Sequence, residues 1–167
     1  MPEKLTRSDV EKIRREIEDR TLNERPKILA ELKEARAQGD LSENFEYYAA
    51  KRANGQNNSR IRYLENMIKN AIIVDDEITD GAVSMNNTVT VYFPEDDMED
   101  TLKLVTSIRS NSLKGKVSIE SPLGQALLGA KVGERRTVKV NDEVSYPIEI
   151  RAIDSGTDDS DDEIKKF

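Results

Sequence analysis

From Thr6 to Gln38 the apolar residues recur at steps of three and four: Val10, Ile13 and Ile17, then Ile28, Leu29, Leu32 and Ala35. That period predicts an amphipathic helix over residues 6–38. Thr6-Arg7-Ser8-Asp9 supplies its start, since Thr6 with Asp9, or Ser8 with Glu11, has the spacing of a capping box. Pro26 has no amide hydrogen and its ring crowds the turn before it, so a kink or short break is expected near Asn23–Pro26. Gly39 is a natural stop. A second helix is expected from about Ser42 to Ile72. Phe45, Tyr48 and Ala49 open its apolar face, and Ile61, Leu64, Ile68 and Ile72 continue it. Between them Lys51 to Arg60 is almost wholly polar and includes Gly55, which costs about 1 kcal/mol against Ala in a helix. The short connection folds the two helices into an antiparallel hairpin. About 30 residues at 1.5 Å each make an arm on the order of 45 Å long.

The period then changes to two. Thr88 to Tyr92 and Leu102 to Thr106 read as strands flanking an acidic loop, Glu95 to Asp100, and Val117 to Ile119 as a third. Ser121-Pro122 opens a short helix carrying Leu123, Ala126, Leu127 and Leu128 and ending near Gly129. Arg136 to Val140 and Val144 to Ile153 complete a small sheet. Asp154 to Glu163 is an acidic stretch rich in small polar residues and reads as disordered. With a boundary near Val74–Asp80, three regions follow: a hairpin over 1–75, a sheet domain over 80–154, and a tail over 155–167.

Composition narrows the chemistry. Of 167 residues, 35% are charged and 5% aromatic, a thin supply of core for one large globule but enough for a solvated arm on a small domain. There is no Cys and no His, which removes disulfides, thiolate metal sites and the usual general base. No run of apolar residues is long enough to span a membrane, and the opening residues lack a signal-peptide pattern, so a cytoplasmic location is expected. The net charge of −7 is uneven. Residues 1–74 carry fifteen Lys/Arg against thirteen Asp/Glu, and residues 75–167 eleven against twenty. An acidic chain is a poor non-specific duplex binder, while its first half stays compatible with a local nucleic-acid contact.

The turn between the helices, Gly39-Asp40-Leu41-Ser42-Glu43-Asn44, has two readings. Asp40 or Ser42 can N-cap the second helix, with Glu43 placed favourably against the helix dipole; that accounts for the residues with no partner. Alternatively, two carboxylates three residues apart converge on a hard cation such as Mg²⁺, which takes one or two protein carboxylates and fills its shell with water and phosphate. Two ligands hold a metal poorly by themselves, so such a site would be completed by another molecule.

Three runs carry a wider resemblance: Arg25-Pro26-x-Ile28; then Ala35-Arg36-x-x-Gly39-Asp40-Leu41-Ser42-Glu43-Asn44-x-Glu46-Tyr47-x-Ala49-Ala50-Lys51 with Arg60-Ile61-x-x-Leu64-Glu65; and Val117-Ser118-Ile119-x-Ser121-Pro122-Leu123-Gly124-x-Ala126-Leu127-Leu128-Gly129. They resemble the Gre family of bacterial transcript cleavage factors over about residues 5–153. The resemblance implies an α+β fold, with a long antiparallel α-helical hairpin (coiled coil) followed by a small FKBP-like antiparallel sheet domain with a short helix. It implies a monomeric accessory factor, not itself an enzyme, whose hairpin enters the secondary channel of bacterial RNA polymerase while the sheet domain docks outside. Asp40 and Glu43 would then help hold a Mg²⁺ ion kept mainly by the polymerase, which cleaves the 3′ end of backtracked RNA. Arg36, Lys51 and Arg52, which otherwise read as a solvated face, would contact the nascent RNA 3′ end. Tyr48 is expected to pack in the hairpin, and Tyr47 either packs or stacks on nucleic acid.

Several positions depart from the family pattern. Phe45 stands where Ala is usual, Arg52-Ala53-Asn54 and Asn58 replace Glu- and Gln-rich positions, and residues 106–111 replace a Gly followed by acids. The replacements at 52–54 and 58 are expected to make the seam near the tip less acidic and more Asn-rich than the family pattern. The acidic tail reads as an extension. Other classes follow from the same residues: a Gre-like paralogue that occupies the channel and modulates or inhibits polymerase without efficient cleavage, a prolyl isomerase or peptide binder, and a plain coiled-coil scaffold. The second domain's few aromatics argue against an isomerase pocket.

Overall fold

In the computed structural model, residues 2–39, 44–74 and 81–166 are described. They form two compact units: residues 10–71, and residues 3–9 together with 72–166. The second unit therefore takes in the chain's first turn, which the period of the sequence assigns to the hairpin. The reason is a pair of two-residue strands without periodicity of their own, β1 (Lys4–Leu5) and β2 (Ile72–Ile73), which run parallel with Leu5 opposite Ile73. The boundary expected near Val74–Asp80 lies, apart from Val74, outside the described residues.

The hairpin unit contains most of α1 (Arg7–Asp19), then α2 (Arg25–Ala37) and α3 (Phe45–Asn70). The break expected near Pro26 is instead a π-helical turn, Arg20–Glu24, in which the Arg25 amide reaches back five residues to the Arg20 carbonyl. Pro26 falls in the first turn of α2, directly after the π turn. Ile28, Leu32 and Ala35 are buried at heptad-like spacing against α3, where Ala50, Asn57 and Leu64 recur every seven residues. The apolar face differs from the expected one at its start. Ala50 rather than Ala49 is buried, Phe45 and Tyr48 are 84% and 45% exposed, and Leu29 and Ile72 are exposed. The polar stretch 51–60 continues the helix without interruption.

The sheet unit holds β3 (Thr88–Phe93), β4 (Met98–Val105), β5 (Lys116–Ser118), α4 (Pro122–Leu127), β6 (Arg135–Lys139) and β7 (Ser145–Asp154). The strands lie in the order β5-β4-β3-β7-β6. The pairing is antiparallel except for β4–β5, which is parallel, so the sheet is mixed where only antiparallel pairing is expected from the sequence. Two short 3₁₀ turns between β4 and β5 supply the crossover. Val89 and Val91 point to one face, with Leu104, Val138, Ile148 and Ile150, and Leu127 of α4 closes that core. The tail is not the free segment its composition suggests. Asp162 is 5% exposed, and the Lys165 amide donates to the Ile108 carbonyl at 2.7 Å.

Candidate functional site at the hairpin tip

Asp40 and Glu43, the two carboxylates of the turn, lie outside the described residues, as do Leu41 and Ser42. The structure describes what frames them. On the incoming side α2 ends at Ala37, the Gly39 amide donates to the Arg36 carbonyl at 3.4 Å, and Gly39 takes φ +105°, a conformation that favours glycine. On the outgoing side the N-cap of α3 is Asn44, where Asp40 or Ser42 is expected from the sequence. Its Oδ1 accepts from the Tyr47 amide at 3.0 Å, and its Nδ2 donates to the Ala35 carbonyl at 2.7 Å. One side chain thus satisfies an orphan donor at the start of α3 and a carbonyl in the last turn of α2. It fixes where the two helices meet, and hence the ends of the acid-bearing segment. The sequence signal for it was present, an Asn at an N-cap position; its second bond, across the hairpin, has no local signature.

Of the three cations expected beside the turn, Arg36 lies in the last turn of α2 and its guanidinium carbon sits 5.7 Å from the centre of the Tyr47 ring. Tyr47 in turn meets Tyr48 edge-on, with centroids 5.4 Å apart. Tyr48 is thereby half-exposed rather than packed inside, and Tyr47 is the better covered of the two. Lys51 and Arg52 are exposed on α3. Adjacent residues project about 100° apart on a helix, so these two do not share one direction. Among the described residues no ion pair holds Arg36, Lys51 or Arg52.

Between α2 and α3 near the tip runs a groove floored by Ala35, Ala49, Ala50 and Ala53 and edged by Glu31, Glu34, Gln38 and Glu46. Three glutamates thus edge the groove closest to the tip. The asparagines act farther down. Asn57 exchanges two hydrogen bonds with Arg20 at 3.1 Å, and Asn58 accepts from Arg25 Nε at 3.2 Å. Beyond them Glu16 is held by Arg60 at 2.7 Å and Arg20 at 2.9 Å. Burial pushes the Glu16 carboxyl up, but the two guanidinium groups outweigh it and hold it below the usual carboxylate range.

In the sheet unit the Ser121-Pro122-Leu123-Gly124 run is a capped helix start. Ser121 Oγ accepts from the Gly124 amide at 3.0 Å and donates to the Ser118 carbonyl at 2.7 Å, and Pro122 enters the first turn. Gly124 lies so close to β5 that a Cβ there would fall 1.8 Å from the Ser118 carbonyl oxygen.

The family described as transcription elongation factor, N-terminal (GreA/GreB) matches residues 3–73, and its companion, transcription elongation factor GreA/GreB, C-terminal, matches residues 78–155. Among curated proteins, a transcription elongation factor GreA of Leuconostoc mesenteroides is 40% identical over 147 residues, covering 87% of this chain and 92% of its own length. One of Mesoplasma florum is 37% identical over 151 residues, covering 89% and 96%, and one of Staphylococcus saprophyticus is 36% identical over 144 residues, covering 86% of each.

Proposed function

The chain belongs to the GreA/GreB family of transcription elongation factors, and from that premise we propose that it acts on backtracked bacterial RNA polymerase and stimulates cleavage of the RNA 3′ end. The observation that carries this reading is the framing of the tip. Two helices are locked together at Asn44 and Ala35 on either side of a segment holding Asp40 and Glu43, with no Lys or Arg between Gln38 and Tyr48 to neutralise them.

The factor is an accessory to the polymerase rather than an enzyme in its own right, and works as a monomer through the secondary channel. Its α3, 26 residues long, spans about 39 Å, a reach suited to carrying side chains into a deep channel. Asp40 and Glu43 are hard oxygen donors, the type that suits Mg²⁺, and a chain without His or Cys offers no imidazole or thiolate in competition. When bound, such an ion would activate the attacking water and steady the leaving oxygen of the phosphodiester. The chain's own share is to supply the carboxylates of Asp40 and Glu43 and to offer Arg36, Lys51 and Arg52 to RNA phosphates. No helix among the described residues is long and apolar enough to cross a membrane.

The test is a backtracked elongation complex incubated with the protein and Mg²⁺. Short 3′ RNA products are expected. Asp40→Ala and Glu43→Ala should each abolish them while polymerase binding persists. Inhibition of synthesis without cleavage, or cleavage that survives both substitutions, would overturn the proposal.

A further inference from the structure

The two stretches of the sheet unit that depart from the family pattern, residues 106–111 and the acidic tail, are bonded to each other. Arg109 is fully buried. Its Nε donates to Asp9 Oδ1 at 2.5 Å, and its Nη1 donates both to Asn86 Oδ1 at 2.7 Å and to Asp162 Oδ2 at 2.9 Å. Asp162 receives two further cations, Lys103 Nζ on Oδ2 and Lys116 Nζ on Oδ1, both at 2.9 Å. Lys103 Nζ also donates to the Asp158 carbonyl at 2.6 Å. One tail carboxylate therefore fills a pocket walled by three cations from β4, the following 3₁₀ turn and β5. Asp9 balances part of the Arg109 charge. Removing Asp162 would leave a desolvated cationic hollow, which favours an anion.

The walls of this pocket lie inside the family match and the ligand lies beyond it, since the match ends at residue 155. The tail is mostly exposed. Asp162 is its one buried residue among 155–166, and Ile164 is half-exposed. Its docking thus rests on charge-assisted bonds and the Lys165–Ile108 backbone bond, not on an apolar face. Glu163 to Lys166 then form one side of a cleft whose other side is Ser110 to Leu113 with β5.

We propose that Lys103, Arg109 and Lys116 form a carboxylate-binding site on the sheet unit, that Asp162 is its ligand in cis, and that an acidic peptide in trans takes the same site when the tail lets go. Occupancy by the tail builds one wall of the cleft beside β5; release removes that wall.

The experiment uses the full chain, amide hydrogen exchange and a free peptide of residues 156–166. In the unmodified protein the Lys165 amide is expected to be protected and added peptide is expected not to bind. In full-length Asp162→Asn the Lys165 amide is expected to exchange at least about tenfold faster, as loss of charge-assisted bonds requires. The free peptide should then bind saturably, and a peptide carrying the same substitution should not. Unchanged Lys165 exchange, or a folded Asp162→Asn chain that ignores the peptide, overturns the proposal. If Asp162→Asn fails to fold, Lys116→Gln at the rim keeps the Asp162–Arg109 pair and should speed Lys165 exchange by a smaller factor; no change there overturns it equally.

Discussion

Asn57 and Arg20 grip each other in both directions across the hairpin: Asn57 Nδ2 donates to the Arg20 carbonyl and Arg20 Nη1 donates to Asn57 Oδ1, each at 3.1 Å. The Arg20 carbonyl is also the acceptor of the π-turn bond from Arg25. A buried Asn at a heptad core position weakens packing but fixes register, because only one alignment gives it partners. Asn57→Leu removes that restriction and leaves Arg20 without its partner on α3. We expect a loss of roughly 1–3 kcal/mol from unpairing buried polar groups, partly offset by the added apolar volume. The measurement is urea unfolding followed by hairpin helicity. Faster exchange of the Arg25 amide should accompany it, since the π turn loses its brace.

Two glycines should respond in opposite directions to the same substitution. Gly55 lies inside α3 with nothing within 4 Å of an added Cβ, so Gly55→Ala is expected to stabilise the hairpin by roughly 0.5–1 kcal/mol. Gly124 faces the Ser118 carbonyl at 1.8 Å from the same added atom, so Gly124→Ala must push α4 away from β5. Overpacking of this kind costs about 1–3 kcal/mol or more. Thermal unfolding of the two variants beside the parent chain decides it; equal and small effects would contradict the close approach.

Acid should release the tail. Burial pushes the Asp162 carboxyl up, but the hydrogen bonds and charges of Lys116, Lys103 and Arg109 outweigh it and bring it down from 3.8 to about 2. Because the folded value is depressed, the stabilisation is present in full above the unfolded value near 4 and fades as pH falls toward 2. The difference in unfolding free energy between the parent chain and Asp162→Asn should therefore be constant from pH 7 to 5 and shrink below pH 4. A difference that persists unchanged at pH 2 would show that Asp162 acts by packing alone.

Much of this architecture was legible because it is local. Thr6 and Asp9 exchange the two bonds of a capping box, as their spacing predicts, at 2.9 and 3.1 Å. Gly39 stops α2, and the alternation of Val89 and Val91 marks an inner sheet face. What was not legible pairs residues far apart in the chain. Asn57 and Arg60 belong to a stretch of which the sequence shows only polarity, yet their partners Arg20 and Glu16 lie across the hairpin. Asp162 sits in an acidic run whose composition suggests disorder; its burial depends on Arg109, more than fifty residues earlier. A π turn and a proline kink disturb the period in the same way, so Pro26 alone does not separate them. The parallel pairing of β5 leaves no trace in a three-residue strand.

At the tip, Asn44 makes the last and sharpest prediction, because its two bonds can be removed one at a time. Asn44→Ala deletes both the cap on the Tyr47 amide and the bond to the Ala35 carbonyl. Loss of an N-cap costs about 1 kcal/mol, and a hairpin this long should still fold. Asn44→Asp keeps an acceptor for Tyr47 but loses the donor to Ala35, and places a third carboxylate beside Asp40 and Glu43. If Asn44 only starts α3, the Asp variant should behave as the parent, since Asp caps as well as Asn. If the bond to Ala35 holds the acid-bearing segment in place, both variants should slow transcript cleavage at saturating factor while the concentration needed for half-maximal effect stays near that of the parent. Single-turnover cleavage over a range of factor concentrations separates the two. A rate defect shared by Ala and Asp, without a matching loss of helicity, assigns Asn44 the positioning role.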